Sequence, residues 1–329
     1  MPGILSSVRS QAAAVTTLQR AIASGRVHHA YLFEGADGVG KELAAFGLAQ
    51  ALECERRNEG DSEACGACSA CERVLPKKGI SRHPDVIVLE RGLYEPVQIG
   101  RRTPETQDIS IDQVRTLVLT RAAFPPHEGR AKVFIIRRAE ELSISAANAL
   151  LKTLEEPNAR THFILLTTQP DALLTTIRSR TLRVRFAALS DQVIAEILAA
   201  RGEAGDVSRI VELAEGSVAR AISLANPEER SEREGFVEKA TRAIAAPDAL
   251  LGLELAEESK KDKDQLELSL VELARHFAQE AKRQAVKSDA SATQAAARFE
   301  ATMEAIDDLG RNGAAQLVIE SMILKMRSA

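Results

Sequence analysis

The chain has 329 residues, of which 45% are hydrophobic, 27% charged and 3% aromatic, and its formal net charge is −4. This length predicts two or three domains, and the composition is typical of a soluble globular protein. The negative charge argues against a stand-alone nucleic-acid binder, and the scarcity of aromatics argues against base stacking. The apolar runs are too short for a membrane span and no basic cluster opens the chain, so we expect a cytoplasmic protein without a signal peptide.

Residues 1–187 alternate short apolar strands with helical stretches. The predicted strands cover residues 31–34, 85–90, 132–137, 162–168 and 182–186. Because no tight hairpin turns separate them, they predict a mostly parallel sheet with helices on both faces, an α/β fold. Ser143 is expected to cap a helix that Pro157 ends, since the residue before a proline avoids the helical conformation.

The chain beyond Ser190 lacks strand patterns. Residues 190–225 predict two or three short helices, and the polar stretch 226–234 predicts a hinge. The remainder predicts a helical domain with breaks near 260–264 and 288–293. We therefore expect domain boundaries of 1–187, 188–228 and 229–329.

A phosphate-loop pattern follows the first strand, with Gly35, Gly38, Gly40, Lys41 and Glu42 at its key positions. Such loops read GxxxxGK followed by Ser or Thr, between a strand and a helix. The glycines permit positive φ, so that backbone N–H groups can cradle phosphate at a helix N-terminus, and the lysine reaches the β and γ phosphates. The alternative is a glycine-rich turn that binds no ligand.

Glu42 stands where the motif needs a hydroxyl for Mg²⁺. A carboxylate ~5 Å from the β-phosphate, at an effective dielectric near 20, repels it by roughly 3 kcal/mol. This weakens nucleotide binding by about two orders of magnitude. A carboxylate also ligates magnesium, so weak ATP binding and no ATP binding both stay open.

The strand at 132–136 ends in Arg137 and Arg138, where an active NTPase carries acidic residues for Mg²⁺ and the attacking water. Arginine cannot bind the metal or act as a general base, although it can neutralise phosphate charge. Glu140 and Glu141 follow, and we expect them to be solvated residues at a helix start. The sequence therefore predicts no ATP hydrolysis.

All the cysteines of the chain lie within a short segment, at positions Cys54, Cys65, Cys68 and Cys71. In a reducing compartment a metal explains such a cluster better than disulfides do. Four thiolates without histidine are typical of structural Zn²⁺. The alternatives are an iron–sulfur cluster, which lacks its usual further Cys-Pro here, and four unrelated buried thiols.

Several segments follow the order found in one protein family. They are His28-His-Ala-Tyr-Leu-Phe33, the cysteine module, His83-Pro-Asp85, residues 145–157 (SAANALLKTLEEP), and residues 177–181 (IRSRT). In this combination the sequence resembles the bacterial clamp-loader subunits of DNA polymerase III, which belong to the AAA+ class. The resemblance covers about residues 1–225 and is weaker beyond, where 309–312 and 317–326 resemble collar helices.

This resemblance implies an AAA+ module, a helical lid and a helical collar. It also implies a hetero-pentameric ring with gamma/tau and delta subunits, which loads the sliding clamp onto primer–template DNA within the DNA polymerase III holoenzyme, a nucleotidyltransferase. Thr168 is expected at sensor 1, and Arg180 is expected to be an arginine finger offered in trans to a neighbour's ATP. The alternative for Arg180 is membership of a structural or solvated arginine cluster.

The sequence departs from the pattern of an ATPase motor subunit at three places, and all three indicate a subunit that does not hydrolyse ATP. A motor needs an intact loop, acidic residues at the strand end and an arginine at the fourth place of a GS-x-R pattern. Here Gly216-Ser217-Val218 is followed by Ala219. These features resemble the non-hydrolysing delta-prime type of subunit. An active gamma/tau-like ATPase motor is the main alternative, and a stand-alone zinc-containing nucleic-acid binder is a third.

Overall fold

The computed structural model describes residues 3–99, 108–128, 130–202, 207–259, 263–285, 289–311 and 313–328. Residues 260–262 and 288, which belong to the expected helix breaks near 260–264 and 288–293, lie outside these residues, as does Asn312, whereas 263–264 and 289–293 are described and helical. The chain divides into two compact units, residues 1–222 and 223–329. Within the described ranges, no helix is both long enough and apolar enough to cross a bilayer.

The strands of the first unit are β1 (Ala30–Glu34), β2 (Pro76–Lys77), β3 (Ile80–Ser81), β4 (Val86–Leu89), β5 (Lys132–Ile136), β6 (Thr161–Thr167) and β7 (Leu182–Arg185). Each of the five predicted strands is confirmed, with ends that differ by a residue or so. The short antiparallel pair β2–β3 was not predicted, because strands of two residues leave no periodic pattern.

The main sheet is parallel throughout and has the strand order β4-β5-β6-β1-β7. Its central strands are buried on both faces, which explains their continuous apolar sequences. Phe134 of β5 lies directly beside Phe163 of β6, with ring centroids 5.1 Å apart. Because the strands are parallel, the segments that follow β1, β4, β5 and β6 meet at one edge of the sheet.

The helices of the first unit are α1 (Ala12–Ala23), α2 (Lys41–Glu53), α3 (Ser69–Val74), α4 (Ile111–Gln113), α5 (Thr120–Ala122), α6 (Ile144–Glu155), α7 (Thr175–Arg178), α8 (Asp191–Ala200), α9 (Val207–Ala214) and α10 (Val218–Ala225, which extends into the second unit). A π-helical stretch, Val114–Leu119, joins α4 to α5. Ser143 caps α6 as predicted, because its Oγ accepts a hydrogen bond from the Ala146 N–H at 3.2 Å. Leu150 and Leu154 of α6 are fully buried against the sheet.

The second unit consists of α11 (Pro227–Ala245), α12 (Leu250–Glu258), α13 (Lys263–Gln284), α14 (Asp289–Gly310) and α15 (Ala315–Ser328). Its core is apolar and includes Phe277, Leu309 and Met322. The stretch 226–234, predicted as a hinge, forms the start of α11 instead. Asn226 accepts a hydrogen bond from the Glu228 N–H at 2.9 Å, and a proline at the first helical position favours the helix start.

The fold class predicted from the sequence is therefore confirmed. It comprises a parallel α/β sheet domain, an embedded four-cysteine module and an all-helical C-terminal region.

Candidate nucleotide and metal sites

The phosphate loop lies between β1 and α2, as its motif requires. Gly38 and Gly40 have φ of +73° and +102°, a region that favours glycine. A Cβ on Gly38 would also lie 2.2 Å from the backbone nitrogen of Ala219. Ala219, which stands at the fourth place of the GS-x-R pattern where a motor subunit has arginine, is thus packed directly on the loop.

Lys41, the lysine of the motif, is buried and turned back onto its own loop. Its Nζ donates hydrogen bonds to the carbonyl oxygens of Gly35 at 2.5 Å and Ala36 at 2.6 Å, and lies 3.7 Å from Asp37 Oδ1. Burial lowers the pKa of Lys41, and the neighbouring Asp37 acts in the opposite direction. These carbonyls occupy two of the three N–H donors of the ammonium group and so compete with a phosphate for it.

Two departures from the motif contact each other. Arg137 donates a hydrogen bond from Nη2 to Glu42 Oε1, and from Nη1 to Glu90 Oε2 at 2.6 Å. Its guanidinium carbon also lies 5.9 Å from the centroid of the Phe46 ring. The side chain of Arg137 is only 12% exposed. The charge of Glu42 is therefore balanced by an arginine, which reduces the repulsion of phosphate expected from the sequence.

Glu90 was missed by the sequence analysis. Glu90 follows β4 directly and β4 pairs with β5, the strand that precedes Arg137, but this strand order is known only from the structure. Carboxyl ends of neighbouring parallel strands meet, so a carboxylate after one and an arginine after the other are expected to pair.

Thr168, expected at sensor 1, follows β6 at the same edge of the sheet. Its Oγ1 and backbone N–H donate hydrogen bonds to Glu140 Oε1 at 2.7 Å and 3.1 Å. The prediction that Glu140 and Glu141 are solvated was wrong, since Glu141 also lies 3.2 Å from Arg91 Nε. The chain turns sharply at Arg138, whose φ is +45°, and a short 3-10 turn then directs both carboxylates back toward the sheet.

The four cysteines converge between the end of α2 and the start of α3. Their Sγ atoms all lie within 4.8 Å of one another, and the pairs Cys65–Cys71 and Cys54–Cys68 are 4.0 Å apart. Sulfurs at the corners of a tetrahedron around Zn²⁺, each about 2.3 Å from the ion, are separated by roughly 3.8 Å. The geometry fits a four-coordinate metal and forms no disulfide.

The protonation of these thiols depends on their surroundings. A hydrogen bond from the Ala67 backbone lowers the pKa of the Cys65 thiol to about 6, whereas burial raises the pKa of Cys71. Backbone N–H groups also point at sulfur: Cys65 N lies 3.3 Å from Cys54 Sγ and Cys71 N lies 3.5 Å from Cys68 Sγ. Such donors stabilise thiolates, the form that binds a metal.

His83 and Asp85 contact His127 and Glu128, in the segment that precedes β5. The two carboxylate oxygens of Asp85 accept hydrogen bonds from the backbone N–H groups of His127 and Glu128, at 2.6 Å and 2.7 Å. His83 Nε2 lies 3.2 Å from Glu128 Oε2. A bidentate contact with Arg73 lowers the pKa of Glu128 to about 2. These contacts fix the loop that leads into β5.

Arg180 lies at the opposite edge of the sheet from the phosphate loop, just before β7 begins. Its Nε donates a hydrogen bond to Glu155 Oε1 at 2.6 Å, and its Nη2 donates to the same oxygen. Its Nη1 donates to the Thr176 carbonyl oxygen at 2.9 Å. A cleft of about 600 Å³ opens there, lined by His28, His29, Leu154, Glu155 and residues 179–182. Glu155 belongs to the segment 145–157, but no role was predicted for it.

The neighbouring arginines Arg178, Arg183 and Arg185 pair with carboxylates other than Glu155. Arg183 Nη2 lies 2.7 Å from Glu34 Oε2, and Arg185 Nε lies 2.6 Å from Glu34 Oε1. Arg178 Nη1 lies 2.7 Å from Asp171 Oδ1. Arg183 and Arg185 therefore share one carboxylate and Arg178 pairs with another, whereas Arg180 lines the cleft.

These features define a class: an α/β domain with a phosphate loop, a four-cysteine module inserted after the loop, and a helical C-terminal unit. The profile of the family described as "DNA polymerase III, delta subunit" matches residues 10–190, more than half of the chain. The chain belongs to this family.

Individual relatives agree with this assignment. The delta' subunit of DNA polymerase III from Bacillus subtilis strain 168 is 32% identical over 68% of this chain and 61% of its own length. The delta' subunit from Yersinia pestis is 38% identical over 48% of this chain and 41% of its own length. The tau subunit from Escherichia coli K12 is 33% identical over 74% of this chain and 36% of its own length. The chain thus spans less than two thirds of the length of these relatives.

Among solved structures, a DNA polymerase III gamma-subunit-related protein from Thermotoga maritima superposes with a TM-score of 0.46 and 19% identity, over 95% of this chain and 98% of its own. The RuvB Holliday junction branch migration motor from the same organism superposes with a TM-score of 0.39 and 15% identity, over 80% of this chain and 75% of its own.

Proposed function

We propose that this chain is a non-hydrolysing subunit of the bacterial clamp loader of DNA polymerase III, of the delta-prime type. It acts in the cytoplasm, in a ring with gamma/tau and delta subunits that places the sliding clamp on primer–template DNA. The observation that carries the proposal is the pair formed by Glu42 and Arg137. The two positions that hold magnesium in an active loop are here bonded to each other, so no metal site is left for ATP turnover.

The placement of Arg180 supports a role in trans. The phosphate loop follows β1, whereas Arg180 precedes β7, the parallel neighbour of β1. A strand of five residues separates these edges by about 16 Å. Arg180 is therefore out of reach of its own loop, and a finger at this edge serves a nucleotide bound by an adjacent subunit. Nucleotide bound at the chain's own loop is, on this proposal, weak or absent.

The metal of the cysteine module is, on this proposal, zinc. Cys54, Cys65, Cys68 and Cys71 would hold it as thiolates, and a site closed by protein ligands supplies structure rather than chemistry. The ion would tie the end of α2 to the start of α3, and so hold the segment that follows the phosphate loop.

The isolated chain should show negligible ATP turnover. An ordinary enzyme rate of about 1 per second would contradict the proposal and favour the active-motor alternative. The same preparation should co-elute with gamma/tau and delta subunits of its own organism in size-exclusion chromatography. A chain that neither hydrolyses ATP nor enters such a complex would exclude the clamp-loader role.

A double reversal should rebuild the metal site. The variant Glu42→Thr/Arg137→Asp restores the hydroxyl and the acidic strand end, and we expect it to bind a fluorescent nucleotide with Mg²⁺ at least about tenfold more tightly than the parent chain, because two Mg²⁺ ligands are gained and the ion offsets the added negative charge. The gain should disappear in EDTA. Tight, magnesium-dependent binding by the parent chain itself would show that the ion pair does not block the site.

A further inference from the structure

One carboxylate occupies the hydrogen-bonding face of Arg180. Glu155 Oε1 accepts from both Nε and Nη2 of the guanidinium. These are donors of the planar fork with which arginine binds phosphate. A phosphoryl group and the Glu155 carboxylate therefore compete for the same N–H groups.

We propose that Glu155 is a latch that restrains Arg180 until the phosphates of a neighbouring subunit's nucleotide replace it. This inference rests on the proposed function, since it concerns the regulation of the arginine finger. Glu155 acts through Arg180 and does not itself touch nucleotide, so it is a positioning residue.

The ion pair between Arg180 and Glu155 is weak enough for a phosphate to displace the carboxylate. The side chains of Arg180 and Glu155 are 31% and 46% exposed, and an ion pair in such a position contributes little to stability. Glu155 is also the last residue of α6, where the helix dipole disfavours a negative charge. Both side chains line the cleft with His28 and His29, so the ion pair is open to an anion that enters the cleft.

Arg180 has further hydrogen bonds that remain when Glu155 no longer binds it. Arg180 Nη1 donates to the Thr176 carbonyl at 2.9 Å and lies 3.3 Å from Ser179 Oγ. These contacts stay within the turn that carries Arg180 and do not involve Glu155. Loss of the Glu155 charge therefore weakens the contact with Nε and Nη2 without displacing the backbone, since an amide oxygen accepts hydrogen bonds more weakly than a carboxylate.

The test is a double-mutant cycle in the assembled loader, with ATP hydrolysis measured in the absence and presence of primed DNA. We expect Glu155→Gln to raise DNA-free hydrolysis by about two- to fivefold, the range that corresponds to losing one exposed ion pair. With primed DNA the increase should be smaller, because the neighbour's phosphates have already displaced the carboxylate. Glu155→Gln/Arg180→Ala should hydrolyse ATP no faster than Arg180→Ala, since the latch has no other target.

Asp171→Asn is the matched control, because it breaks an arginine–carboxylate pair of the same segment that lies on Arg178. It should leave both rates unchanged. Slower hydrolysis by Glu155→Gln, or an equal increase in the Arg180→Ala background, would overturn the latch. An unchanged rate in Glu155→Gln while Arg180→Ala slows hydrolysis would also overturn the latch but leave the proposed function standing. Unchanged hydrolysis in Arg180→Ala would overturn the latch and, with it, the proposed role of Arg180 in trans.

Discussion

In an assembled loader, Arg180→Ala should slow ATP hydrolysis at the adjacent subunit's site by as much as about 10³-fold, because a guanidinium in trans stabilises the charge that develops on the transferring phosphoryl group. Total ATPase should fall less, since the other sites of the ring keep their own arginines. Clamp loading should fall more than total ATPase if the sites act in concert. Single-turnover hydrolysis and loading of a labelled clamp onto primed DNA measure the two effects.

The same experiment needs variants that separate chemistry from folding. Arg180→Lys should not restore the rate, because an ammonium cannot reproduce the planar fork. Arg178→Ala removes a nearby arginine that pairs with Asp171 and should leave hydrolysis unchanged. Each variant should assemble normally, since Arg180 lies in a partly exposed loop outside the apolar core. Unchanged ATPase and unchanged clamp loading in an assembled Arg180→Ala complex would show that the arginine is structural.

Removal of a cysteine ligand should have the largest effect on stability. We expect metal analysis to find about one zinc ion per chain. Cys71→Ser should lose the ion and lower the free energy of unfolding by more than about 4 kcal/mol, because Cys71 is fully buried and the binding free energy of a structural metal contributes to folding. Thermal unfolding with and without a chelator measures this loss, and the chelator should have little further effect on the variant.

Ser69→Ala is a suitable control, because it alters a residue beside Cys68 and keeps all four thiols. It should retain zinc and unfold close to the parent temperature. Substoichiometric zinc in the parent chain, or a brown iron-containing preparation, would contradict the assignment of the metal.

The sequence predicted the sheet well because each strand carries its own local signal. Continuous apolar runs such as β5 and β6 predict buried strands directly. Ser143 and Pro157 likewise predict the ends of α6 without any tertiary information. The phosphate loop and the cysteine spacing are likewise compact motifs, whose residues are close in sequence.

What the sequence could not supply was the pairing of distant charges. Glu42 and Arg137 were each identified as departures, but they lie 95 residues apart, and their contact depends on the strand order. Glu140 was misjudged because the sharp turn at Arg138 reverses the chain, and no pattern in the sequence predicts a positive φ at an arginine. Glu155 had no assigned role for the same reason, since its partner follows only after strand β6.

The contact between Glu42 and Arg137 also constrains the history of this chain. A single reversal of Arg137 to aspartate would crowd three carboxylates together with Glu42 and Glu90, and a single reversal of Glu42 to threonine would leave Arg137 where Mg²⁺ is needed. Ala219, packed against Gly38, is a third position at which this chain departs from the motor pattern. On the proposed function, neither single substitution completes a Mg²⁺ site, so a return to ATP hydrolysis requires several changes together.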